Sequence, residues 1–503
     1  MPNWSKAQAE AAGIAADWSR EAGPGGAITL FDRHGLRHRS AGGLAVIEHG
    51  VPFTAETNHR LASISKHMLA VLLLKAGVPL DATLGELLPD LSGAAGEVQL
   101  GRALDMTGAL PDMMELMWQE GVPFTAGLGE ADLAGRALGL AALNAEPGTE
   151  MAYSNTGWRL AQAVLTRRVG APYAQIVDGL MGELGLRVRF VQDETELVPD
   201  LSSGYWRDTG AWRRGRYGFH FSASGGMVAS AAALAGWGSA LLAGRGPLAG
   251  MLERLTAPRL FVNGLESSYR LGLVCSRLGS VAWVGHGGSL PGYRNHLLMA
   301  PSLGAGVVVL TNREEDALGP ALRVLASLVG EPLPAPPRGL VPGLFAAEHG
   351  PFWAELSSDA VSFMGGFESL AADGAGGFIS LPAYLDTRFR QTGPDVLEGL
   401  FGGVERKLVR VPQTTRLDPA LAGRWRARRS GRDMVLRADG TALMPFAGTE
   451  GIEARLTPLP DGRALVALSH GPWRHRSCAG LRPDGSLLLA SHRSRILEFD
   501  RIA

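Results

Sequence analysis

Between Arg60 and Lys75 no glycine or proline interrupts a run in which Leu61, Ile64, Met68, Leu69, Leu72 and Leu73 recur at three- and four-residue steps. That period predicts a helix. Ser63 lies near its start and Lys66 one turn later, so hydroxyl and amine share a face. A serine is a weak nucleophile until a base takes its proton. A lysine serves as that base where burial or nearby positive charge lowers its pKa. Of the chain's 48 basic residues only Lys6, Lys66, Lys75 and Lys407 are lysines, and of these only Lys66 has a serine three residues ahead. Elsewhere the chain uses arginine, which stays protonated. Backbone N–H groups at the helix start could also hold a developing oxyanion.

A length of 503 residues suggests two to four domains. A net charge of −1 gives no general attraction to nucleic acid or to an anionic membrane, so neither is expected as a partner. Cys275 and Cys478 stand far apart and form neither a metal spacing nor a disulfide framework. The first residues lack the apolar core of a signal peptide, and no apolar run approaches a membrane span. The expected location is cytoplasmic.

Read in order, residues 7–21 predict a helix. Ala27–Phe31 and Ser40–Glu48 predict strands around a polar turn, and residues 66–170 read as mostly helical. Tyr153-Ser154-Asn155 falls on a loop before a helix at Trp158–Arg168, so tyrosine and amide can face one cleft. Tyr269–Cys275, Val281–Val284, Arg294–Ala300 and Gly306–Thr311 predict strands, with Gly285-His286-Gly287-Gly288-Ser289 after the second. Glycines there let a backbone run close to a ligand. A last helix is expected over residues 312–330, then a stiff linker at Pro332–Pro337.

Beyond the linker the texture changes to short strands and turns, and an internal repeat emerges. Gly343-Leu-Phe345 matches Gly423-Arg-Trp425, Leu356 matches Leu436, and Asp359 matches Asp439. Two related antiparallel barrels or sandwiches fit best, with hairpin turns at Asp439-Gly440, Asp461-Gly462 and Asp484-Gly485.

Three short motifs in order, Ser63-x-x-Lys66, Tyr153-x-Asn155 and His286-x-Gly288, resemble the serine penicillin-recognising enzymes, closest to the class C β-lactamases, their esterase relatives and the D-amino-acid peptidases. Met106-Thr-Gly-Ala-Leu110 and Glu146–Asn155 read like family signatures. The resemblance covers about residues 10–330. It implies a multidomain α+β protein. A penicillin-binding-type α/β domain with a central antiparallel sheet (1–331) is followed by two antiparallel β-barrel domains (338–413 and 417–503). His286 stands where β-lactamases usually carry lysine, which with the tandem β-domains is similar to the bacterial D-aminopeptidases, working as homodimers.

By this resemblance Ser63 forms an acyl-enzyme while Lys66 and Tyr153 share the proton work, in an order the sequence leaves open. Asn155 holds Lys66 or the substrate carbonyl, and His286 lines the cleft. The oxyanion rests between the N–H groups of Ser63 and Ser289, beside Gly288. No metal or cofactor is implied. An aminopeptidase must also bind a free ammonium group. In the resembling family an aspartate from a loop of the last domain does so, and the best-placed candidate here is Asp461, with Asp433, Asp439 and Asp484 as alternatives. The leading expectation is release of N-terminal D-amino acids from short peptides, amides or esters. The alternatives are a broad esterase or D-Ala-D-Ala carboxypeptidase of the same fold, or a protein that binds β-lactams or peptides without turnover.

Overall fold

The computed structural model describes residues 1–382 and 384–502. An antiparallel six-stranded sheet organises the first part of the chain. Its strands are β1 (Gly26–Asp32), β2 (Gly35–Gly42), β3 (Val274–Leu278), β4 (Val281–Leu290), β5 (Tyr293–Ala300) and β6 (Ala305–Thr311). In space the order is β3-β4-β5-β6-β1-β2, so the N-terminal hairpin docks beside the last strand. The central strand β6 reads Ala-Gly-Val-Val-Val-Leu-Thr and is buried at every position, as a strand covered on both faces must be.

Five helices matter for the site: α1 (Trp4–Arg20), α2 (Ser65–Lys75), α3 (Thr156–Val169), α4 (Ala231–Ala243) and α5 (Leu318–Val329). α1 and α5 pack together against the sheet, and α4 lies across β1 and β6. α2 is apolar on every side, and all residues from Ser65 to Leu74 are buried. A helix of that kind belongs in the middle of a core, and Lys66 goes inside with it.

Several boundaries differ from the sequence expectations. The strand expected over Ser40–Glu48 ends at Gly42. Gly43 turns the chain at φ +73°, and a short strand at Leu44–Val46 and one 3₁₀ turn at Ile47–His49 follow. The helix expected from residue 312 begins only at Leu318. The buried Asn312 side chain bonds instead to Gly25 N–H and to the carbonyls of Leu44, Ala45 and Ser203, holding its backbone out of a helix. Residues 66–170 are less helical than expected, with irregular chain from Asp105 to Asp112 and from Gly139 to Asn155. The strand expected at Val281–Val284 continues to Leu290, because β5 pairs with β4 through the glycine stretch.

Beyond the proline segment stand two closed eight-stranded antiparallel barrels, spanning Gly343–Arg410 and Gly423–Ile502. The sequence repeat is a repeat of register: Gly343 pairs with Leu356, and Gly423 pairs with Leu436. Phe345 and Trp425, matching residues of the two copies, are each buried in a barrel core. The Trp425 indole N–H also donates to Leu421 O at 2.9 Å. Trp425→Ala is therefore expected to destabilise the second barrel by about 3–5 kcal/mol. The check is a fall in the midpoint of its thermal unfolding transition.

Candidate active site

Ser63 sits in a 3₁₀ turn, Ala62–Ile64, that leads directly into α2. Ala62 takes a left-handed conformation, φ +51°, which strains a residue with a Cβ. Two bonds hold the turn: Ser65 Oγ donates to Ala62 O at 2.6 Å and accepts from Met227 N at 3.1 Å. The direction of Ser63 is thus set by the turn's backbone and by the buried Ser65 hydroxyl.

One turn on, the fully buried Lys66 amine meets three groups: Ser63 Oγ at 3.0 Å, Asn155 Oδ1 at 2.9 Å and Ser224 O at 3.2 Å. Burial holds its pKa well below the usual lysine range. The positive charge of Arg493 pushes the same way, and Asp112 opposes it. A neutral amine has two hydrogens and one lone pair. Asn155 Oδ1 and Ser224 O can only accept, so they take the hydrogens. The lone pair then points at Ser63, whose hydroxyl can donate.

Asn155 is itself fixed from behind. Asp112 Oδ2 accepts from its backbone N–H and its side-chain amide, each at 2.9 Å. Asp112 Oδ1 caps the helix Met113–Gln119 through Met114 and Glu115 N–H. Tyr153 packs above, its ring centroid 5.0 Å from the Lys66 nitrogen. Burial pushes its phenol up to about 12, while the Ser63 hydroxyl and Arg493 pull it back. It is a proton donor at neutral pH.

His286, Gly287, Gly288 and Ser289 occupy the end of β4. There β3 has stopped, and only β5 remains paired. The carbonyl of Gly287 accepts from His286 Nδ1 at 2.5 Å, so Nε2 carries the lone pair that meets Tyr269 OH at 2.8 Å. Burial holds this imidazole neutral. Gly288 passes so close to the nucleophile turn that a Cβ there would stand 2.1 Å from Leu61 O. Ser289 is exposed and lines the cleft with Ser63.

Both barrels complete this cleft of about 640 Å³. From the first, Tyr384 OH accepts from Gly287 N at 2.6 Å, and its ring lies 5.6 Å from that of Tyr153. From the second, Trp473, His475, His492 and Arg493 line the wall. The two barrels also share an anchor. Buried Glu150 pairs with Arg406 at 2.6 Å and with Arg495 on its other oxygen.

Six of the residues singled out from sequence (Ser63, Asn155, Tyr153, His286, Gly288 and Ser289) line one cleft, with Lys66 beneath. Asp461 does not join them and is corrected here. It is a left-handed turn residue, φ +58°, 73% exposed, beside Arg463 at 3.7 Å. Asp433 is taken by Arg426 and Arg424, Asp439 by Thr441 and Asp484 by Ser486. The residues missed were Asp112, Glu115, Tyr384 and Arg493. Asp112 was findable as the aspartate two residues after the Met106–Leu110 signature. The barrel residues carry no local signal.

The family model described as Beta-lactamase matches residues 11–330. A D-aminopeptidase of Gluconobacter oxydans is 28% identical over 337 residues, 66% of this chain and 64% of that relative. A D-aminopeptidase of Cereibacter sphaeroides is 26% identical over 491 residues, 90% of each chain. The solved octameric penicillin-binding protein homologue from Pyrococcus abyssi shares the fold over 99% of this chain and all of that one, with a TM-score of 0.56 at 17% identity.

The packing of Gly288 makes a local prediction. Gly288→Val would push β4 off the nucleophile turn. It is expected to slow reaction of Ser63 with a fluorophosphonate probe about a hundredfold, measured as the labelling rate of the folded protein.

Proposed function

Since the chain belongs to the beta-lactamase family, in its class-C-like branch, we propose that it is a serine hydrolase releasing N-terminal D-amino acids from short peptides, amides or esters. The observation that carries the chemistry is the 3.0 Å separation of Lys66 Nζ and Ser63 Oγ, with acceptor-only partners at the other two contacts of the amine. Ser63 Oγ bonds to the substrate carbonyl carbon while its proton passes to Lys66. The oxyanion lies between the N–H groups of Ser63 and Ser289. The C–N bond (or C–O bond of an ester) breaks, and the leaving group takes a proton through Tyr153. Water then attacks the acyl ester by the same route in reverse, freeing the acid and restoring Ser63. His286, neutral and fully bonded, shapes the wall. The chemistry needs no metal or cofactor.

The substrate's ammonium group needs a carboxylate, and Glu115 is the candidate in place of Asp461. Most carboxylates of the cleft are committed. Asp112 holds Asn155, Glu314 holds Arg294 and Gly292 N–H, Asp316 caps α5, and Glu368 takes the N–H groups of Tyr384 and Leu385. Among the described residues Glu115 accepts one side-chain hydrogen bond, from Ser491 Oγ, with Arg493 Nε at 4.0 Å. Burial pushes its carboxyl up to about 8, against the pull of Arg493. An arriving ammonium would supply the missing countercharge. Two relatives named D-aminopeptidase, one aligned over 90% of this chain, support the substrate class.

The domain division 1–331, 338–413 and 417–503, a cytoplasmic location and a homodimer belong to the same reading. No helix among the described residues is long and apolar enough to cross a membrane. One observation favours a carboxypeptidase instead: Arg474 and Arg493 line the same cleft and could receive a terminal carboxylate.

D-alanine p-nitroanilide is expected to turn over, with its L isomer and its N-acetyl form as poor substrates. Equal use of both isomers, or indifference to the acetyl group, contradicts the aminopeptidase reading. Ser63→Ala should lose about 10⁴-fold or more in kcat. Glu115→Gln should raise KM for the free-amine substrate about tenfold or more, since a charged hydrogen bond is lost. Turnover of p-nitrophenyl acetate, which has no amine, should be unchanged.

A further inference from the structure

The second barrel sends one hairpin loop, between its strands Leu487–Ala490 and Leu497–Ile502, against the catalytic machinery. The loop is closed on itself by Ser491 N–H donating to Ser494 O at 2.7 Å. Its backbone is stapled to the first domain. Arg493 O accepts from Asp112 N at 2.9 Å and from Asn144 Nδ2 at 3.0 Å, and Arg495 N donates to Asn144 Oδ1 at 2.8 Å. The Arg493 side chain is therefore delivered by bonds that do not involve its own guanidinium.

That guanidinium lies over the Tyr153 ring, Cζ 4.9 Å from the centroid, and the Lys66 nitrogen lies 5.0 Å from the same centroid. One aromatic ring thus has a guanidinium and an amine beside it, one from each end of the chain. Arg493 Nη1 also stands 3.9 Å from Asp112 Oδ2, the oxygen that holds Asn155. Asn155 in turn accepts from Lys66. A continuous path therefore runs from the second barrel through Asp112 and Asn155 to the amine beside Ser63.

We propose that Arg493 is a positioning residue for acylation: its charge, placed across Tyr153 and against Asp112, keeps Lys66 in the neutral form that takes the Ser63 proton. The inference rests on the reading of Lys66 as base given above. Arg493's positive charge disfavours a proton on Lys66, and by balancing Asp112 it removes the negative charge that would favour one. Burial and then the Arg493 charge lower the Lys66 pKa, while Asp112 raises it. The other groups around the pair are Glu115 at 4.0 Å from Arg493 Nε, His492 at 3.1 Å from the same atom, His475 and Arg495 nearby, and His286 facing Lys66. All three histidines are held neutral by burial, so none supplies the charge that Arg493 does.

The test uses the full-length protein and p-nitrophenyl acetate, whose lack of an amine takes Glu115 out of the comparison. Deprotonation of Lys66 sets the acidic limb of kcat/KM against pH. In Arg493→Gln that limb should move up by about one pH unit, the size expected of a single charge at this range inside a protein. Arg493→Lys should return most of the shift. Asp112→Asn, which removes the opposing charge and keeps Arg493, should move the limb the other way. The labelling rate of Ser63 by a fluorophosphonate should follow the same limbs. An Arg493→Gln limb coincident with wild type, or an Arg493→Lys limb as displaced as that of the glutamine variant, overturns the proposal. The underlying reading fails separately, if Ser63→Ala still hydrolyses the ester.

Discussion

A primary amine taken out of water is the constraint around which the protein is arranged. Lys66 is fully buried, and no carboxylate among the described residues makes a direct ion pair with it. An ammonium there would lack its hydration and a contact counterion, so the neutral form is favoured. That state needs a helix able to go into the core on every side, and α2 is one. It also needs acceptors that fix the two amine hydrogens, which Asn155 and Ser224 supply from different segments. The neutral amine beside Ser63 thus follows from the burial of a whole helix.

Walling the cleft requires more chain than the first domain offers. The end of β4 is unpaired on one edge, and Tyr384 of the first barrel closes over it by accepting from Gly287 N. The second barrel covers the opposite side with Trp473, whose ring centroid lies 4.3 Å from that of Phe124. Glu150 makes the two closures interdependent, because one arginine from each barrel shares its carboxylate. A buried carboxylate with only one of those arginines would be poorly compensated. The barrels are walls of the cleft, held in mutual register by a shared charge.

What the sequence disclosed follows from how local each signal is. Ser63 and Lys66 were legible because a three-residue spacing brings hydroxyl and amine together whether the first turn is α or, as here, 3₁₀, and Tyr153 and Asn155 because a loop ahead of α3 presents both. The barrels were legible as a repeat because identical register needs matching residues at matching offsets, as at Gly343 and Gly423. Tyr384 and Arg493 were not. Each reaches the cleft from a hairpin far along the chain from Ser63, and a hairpin turn looks alike in sequence whether its tip faces solvent or a neighbour. Asp461 failed for the same reason, its turn chemistry being correct and its direction wrong. The helical overreading of residues 66–170 arose where the Asp105 side chain accepts from Thr107 N–H and the Asp112 side chain from Met114 N–H, a competition that composition does not reveal.

The presence of histidine at position 286 follows from the same economy of charge. A lysine there would place an ammonium where the nearest partners are one carbonyl and one tyrosine hydroxyl, with no carboxylate among the described residues to balance it. The ring of His286 avoids this because both its nitrogens are satisfied without a charge. Nδ1–H is taken by the Gly287 carbonyl, and the Nε2 lone pair by the Tyr269 hydroxyl. Tyr269 is in turn buried, so its proton stays in place. Histidine thus keeps the wall of the cleft neutral beside the reacting amine. The fixed positive charge sits instead on Arg493, across Tyr153, with the Asp112 carboxylate at 3.9 Å and the Glu115 carboxyl at 4.0 Å.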